Sequence, residues 1–145
     1  MANFFERQLK KKESLFWKLQ IAGWLAFGAT RALSLFADRE NFVFQITVIT
    51  SVLSGFIITV ILRLIYRKLK NSNLPPLTMV LSIITCIVVS ALILSAIDTW
   101  VVQQTFYINI RLYEFVIGRA LYDLFVLMIW TGAYFIVNYQ FLLME

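Results

Sequence analysis

The sequence predicts an all-α membrane bundle of four transmembrane helices, and three observations point there. Of 145 residues, 61% are hydrophobic and only 14% charged, with 13 Phe, 6 Tyr and 4 Trp. An ordinary soluble domain carries about 25% charged residues, because its surface has to be polar. The apolar residues also fall into four long runs, and a run of about 20 helical residues crosses a hydrocarbon core of about 30 Å. The expected spans, near 15–37, 43–65, 77–97 and 116–138, take up most of the chain, which leaves no room for a soluble catalytic domain of about 100–150 residues. Residues 1–14 form a separate basic leader, and 15–145 form the bundle.

The leader contains Arg7, Lys10, Lys11 and Lys12. Phe5, Leu9, Phe16 and Leu19 recur at helical spacing, so it reads either as a solvated charged segment or as an amphipathic helix lying on an anionic leaflet before turning inward. The first span opens with Trp17 and Lys18 at headgroup level and closes before the charged turn 38–41, short enough to force a hairpin. Its length and its internal Gln20 mark it as a retained helix rather than a cleaved signal. The second span runs into Arg63, Arg67, Lys68 and Lys70. Pro75 and Pro76 then end one helix and start the next. The third span stops near Asp98 and Trp100. Residues 99–115, rich in Gln, Tyr and β-branched types, read equally as an interfacial helix or an extended cap.

Charge asymmetry sets the orientation. Arg7, Lys10, Lys11, Lys12, Lys18, Arg63, Arg67, Lys68 and Lys70 gather on one side, against Arg31, Arg39, Arg111 and Arg119 on or near the other. The positive-inside rule then places both termini in the cytoplasm.

Ionisable groups within a bilayer cost about 2.5–3.5 kcal/mol each on insertion scales, so they are paired or functional. Arg31, Asp98, Glu114, Arg119 and Asp123 are expected to form one polar layer near the outer boundary, and Arg119 and Asp123 share a helix face. Two readings stand: an ion-pair network that locks register, or a polar pocket that binds a small ligand or senses an ion or pH. Gly23, Gly28, Ser51, Gly55, Ser82 and Ser90 mark close helix contacts, and Gln20 is expected to bond to a facing Ser or Thr or to a second subunit.

With no histidine and one cysteine, Cys86, the chain has no histidine-ligated haem or His-bearing zinc site and no disulfide framework of its own. It has no phosphate-binding glycine loop and no H-E-x-x-H motif. No cofactor, metal or direct nucleic-acid partner is expected, and the chain alone is expected to be non-enzymatic. Its partners are the lipid bilayer and a second copy in a homodimer.

The pattern Trp17, Gln20, Gly23, Trp24 within 16–25, with the exit 133–139 of the last span, resembles the membrane region of bacterial sensor histidine kinases of the Lyt type. The middle spans match only in hydropathy. The resemblance implies a plasma-membrane input module of a two-component system, which in a longer chain precedes a kinase domain. It carries over no catalytic residue, since the phosphoacceptor histidine is missing from this chain. The alternative is a small standalone membrane protein, acting as a transport or assembly subunit or as a scaffold. A channel-forming oligomer is a weaker third reading, because no continuous polar stripe is evident.

Overall fold

The computed structural model describes the backbone of residues 2–35, 42–106 and 112–143, and side chains over 3–33, 48–104, 117–140 and at Leu143. These residues form four helices: α1 (Ala2–Leu35), α2 (Phe42–Asn71), α3 (Pro76–Phe106) and α4 (Leu112–Leu143). The charged turn 38–41 lies outside the described residues.

Each helix is longer than its expected span, for a local reason. The leader does not turn away from the first span, because nothing in 2–35 breaks the helix; α1 is one rod of 34 residues, about 50 Å long. The basic residues after 65 extend α2 to Asn71, with Lys68 and Lys70 in the last turn, where cations complement the helix dipole. The turn that follows is closed by the Ser72 amide, which donates to the Lys68 and Leu69 carbonyls at 3.1 and 3.2 Å. Met79 N–H then donates to the Pro75 carbonyl at 3.0 Å, so Pro76 occupies the first helical position, where its missing N–H costs nothing. At its far end α3 continues to Phe106, which makes the first part of 99–115 helical.

Among the described residues, Val48–Asn71, Pro76–Gln104 and Ile117–Gln140 are long and apolar enough to cross a membrane. The corresponding part of α1 carries Lys18, Gln20 and Arg31, and it is less apolar than the other three.

Packing follows one narrow stripe per helix. Phe16, Gln20 and Trp24 of α1 are buried, as are Val48, Ser51, Gly55, Thr59, Leu62 and Tyr66 of α2 and Asp123, Leu127, Thr131 and Tyr134 of α4. Steps of three and four residues place each set on one helix face. Outside these stripes large apolar side chains are exposed, among them Leu25, Ile57, Leu77, Phe125 and Ile129. A shell this apolar suits lipid rather than water.

The helices pack in sequence, α1 on α2, α2 on α3 and α3 on α4, whereas α1 and α4 touch only sparsely. A groove of about 260 Å³ opens along that thin seam.

Candidate functional site: a polar layer and a buried tie

Two buried polar centres hold the bundle, and each is organised by a hydroxyl on α2. The first centres on Ser51. Its Oγ donates to Asp98 Oδ1 at 2.7 Å and is approached at 3.4 Å by both Arg31 Nη1 and Arg119 Nη2. Arg119 Nη2 also pairs with Asp98 Oδ2 at 2.9 Å. One hydroxyl thus donates once and accepts twice, its full capacity. The layer joins α1, α2, α3 and α4 through Arg31, Ser51, Asp98 and Arg119.

Asp98 is only 1% exposed and Asp123 2% exposed. Asp98 has both oxygens bonded, which is how a buried carboxylate is made tolerable. Asp123 lies one helical turn from Arg119 and feels the charges of Arg119, Asp98 and Arg31. Its Oδ2 is buried with no hydrogen-bond partner among the described residues, and so is Arg119 Nε. The layer therefore keeps one strong acceptor and one strong donor unspent, a combination that can take up a water molecule, a proton or a small polar ligand.

The second centre lies two turns along α2, about 12 Å from the first. Thr59 Oγ1 accepts from Gln20 Nε2 and, at 3.1 Å, from Trp24 Nε1. It donates to the Gly55 carbonyl at 2.9 Å. Gln20, 2% exposed, accepts at its Oε1 from Trp130 Nε1 at 2.6 Å. This tie joins α1, α2 and α4, and beside it Tyr66 and Thr131 link α2 to α4 at 3.1 Å.

Between the two hydroxyls sits Gly55. A Cβ there would fall 2.1 Å from Trp24 Cη2, so glycine is what lets the indole lie against α2. Gly28 allows a similar approach, with an added Cβ 2.9 Å from Val52 Cγ2.

Of the residues expected in the polar layer, Arg31, Asp98, Arg119 and Asp123 come together, and the side chain of Glu114 lies outside the described residues. Gln20 finds a facing threonine. Ser51, expected only as a small contact residue, is the hub of the layer. Gly23 has nothing within 4 Å of an added Cβ and lines the α1–α4 groove rather than a tight contact. The Ser82 hydroxyl donates to the Thr78 carbonyl of its own helix at 2.8 Å, and Ser90 is half-buried on α3. Thr59 and Trp130 went unnoticed in the sequence. Threonine is common in apolar helices, where its hydroxyl satisfies itself on the preceding turn, so Thr59 carries no mark of its own.

No protein-family model, curated protein or solved structure matches this chain.

Proposed function

We propose that the chain is a non-enzymatic membrane input module, in which a change at the buried polar layer is relayed along α4 to the basic end of the bundle. The observation that carries this reading is the placement of Arg119 Nε and Asp123 Oδ2, unspent polar atoms in a buried layer, on a helix that packs closely on α3 and touches α1 only sparsely. A stimulus that binds, protonates or bridges these atoms stabilises one pose of α4 over another, the energetic requirement for a relay. In this reading α1 is a fourth span and both termini are cytoplasmic in a bacterial plasma membrane. The module acts as a homodimer, for which Ala22 and Ala26 on the exposed side of α1 offer a small-residue face.

A sensor histidine kinase is the class of signalling protein this reading favours, on the resemblance of the Trp17, Gln20, Gly23, Trp24 pattern. Hydrogen bonding and packing account for Gln20 and Trp24 without kinship, so the relay rests on the polar layer and not on that pattern.

The test pairs cysteines at Leu19 and Ala133, which both line the α1–α4 groove, in a Cys86→Ser background. Asp123→Asn is expected to change the rate of disulfide crosslinking between them several-fold. They lie about 15 Å along α4 from the substitution, so an unchanged rate overturns the relay.

A second reading, a standalone transport or assembly subunit or scaffold, is favoured by Asp98. Its two bonded oxygens make the Asp98–Arg119 pair a lock. Flux through vesicles holding this chain alone supports the transport form.

A further inference from the structure

The basic end of the bundle holds a second recess, about 220 Å³, where Lys12 of α1 and Arg63, Arg67 and Lys70 of α2 converge on the exit of α4 at Asn138. Four cations share it with one carboxylate, Glu13. The guanidinium of Arg63 is held over the Phe16 ring, 3.9 Å from its centroid, and neither Arg63 nor Arg67 forms an ion pair with a described carboxylate. An arginine held as Arg63 is, with Arg67 beside it in the recess, suits a phosphate oxyanion, which the planar guanidinium can bind through two N–H groups.

The recess is not isolated. Phe16, Tyr134 and Val137 line both it and the apolar groove between α1 and α4, so the two adjoin along one seam. The groove runs from Phe16 to Phe27 on α1 and from Val137 to Val126 on α4. Eleven residues of helix rise about 16 Å, half of a hydrocarbon core of about 30 Å. The seam therefore sets a cationic recess beside an apolar trough about as long as one leaflet is deep.

We propose that the α1–α4 seam binds one anionic phospholipid, its phosphate among Arg63, Arg67 and Lys70 and an acyl chain in the groove beside Trp130 and Gly23. Charge selects this occupant over a zwitterionic lipid, and the length of the groove selects it over a free anion. The lipid fills a seam where α1 and α4 leave each other largely uncovered, so it is a constituent of the bundle and not part of the general lipid annulus. This inference does not depend on the relay.

The test is native mass spectrometry of the full chain released from nanodiscs containing equal amounts of phosphatidylglycerol and phosphatidylcholine with identical acyl chains. The wild type is expected to retain one phosphatidylglycerol. Arg63→Gln with Arg67→Gln is expected to weaken that retention roughly 30-fold, from the attraction each basic residue exerts on anionic lipid. Gly23→Leu, which fills the groove and removes no charge, is expected to lower it at least 10-fold, and it decides the matter if the arginine variant does not fold. Lys10→Gln with Lys11→Gln removes two charges from the same end but none from the recess, and is expected to leave retention unchanged. Equal retention of both lipids overturns the proposal. So does an equal loss in the Lys10/Lys11 and Arg63/Arg67 variants, or full retention in Gly23→Leu.

Discussion

At the scale of single residues, the bundle depends on two hydroxyls whose hydrogen-bonding capacity is fully used. Thr59→Val keeps the shape of the side chain but leaves Gln20 Nε2 and Trp24 Nε1 without their acceptor. It is expected to cost about 1–3 kcal/mol, the usual penalty for buried polar groups deprived of a partner, measured as a lower unfolding midpoint in mixed micelles. Asp98→Asn weakens a buried ion pair and is expected to cost more, about 3–5 kcal/mol. Asp98→Leu combined with Arg119→Met is expected to recover most of that loss, because the pair is then replaced by apolar groups of similar size; failure to recover would mean that the layer does more than pair charges. Gly55→Ala drives a methyl into the Trp24 ring, and overpacking of this kind costs about 1–3 kcal/mol. Adding Trp24→Phe is expected to make the two changes non-additive in a double-mutant cycle.

Much of this was legible residue by residue, and the exceptions share a cause. Arg31, Asp98, Arg119 and Asp123 stood out because a charge within an apolar run is costly enough to demand an explanation. Ser51 and Thr59 did not, since a hydroxyl in a helix can bond to its own backbone and so announces nothing. Gly23 was misplaced because a small residue marks close approach and open space in the same way, and only the position of the neighbouring helix tells them apart.

At the scale of the helices, the apolar runs gave four elements in the right order but made each too short, chiefly at the start of α1 and at the ends of α2, α3 and α4. Hydropathy detects where lipid begins, whereas a helix stops where its backbone is broken, and between 2 and 35 nothing breaks it. The sparse α1–α4 contact was not legible at all, because a seam is a property of two surfaces and not of either sequence. Helices that share little buried area open at lower free energy. Backbone amides of α1 are therefore expected to exchange hydrogen faster than those of α3, which packs on both α2 and α4. Equal protection of the two helices, read by mass spectrometry in nanodiscs, would contradict this.

At the scale of the whole molecule, the basic ends of α1 and α2 meet the exit of α4 in one recess, so the start of α1 and the end of α4 share one pole of the bundle. Reporter fusions at the two termini are expected to report the same, cytoplasmic, side. Opposite sides would mean that α1, the least apolar helix, does not cross the bilayer.

The bonds made by Trp130 and Thr131 clasp α4 to α1 and α2 at almost the same height. From Trp130 it is about 16 Å back along the helix to Arg119 and about 20 Å onward to Leu143. A rigid rod clasped near its middle behaves as a lever with nearly equal arms. In the relay proposed above, a sideways displacement of one ångström at the arginine corresponds to about 1.2 Å in the opposite direction at the far tip, and α3, which packs along α4, would have to yield to it.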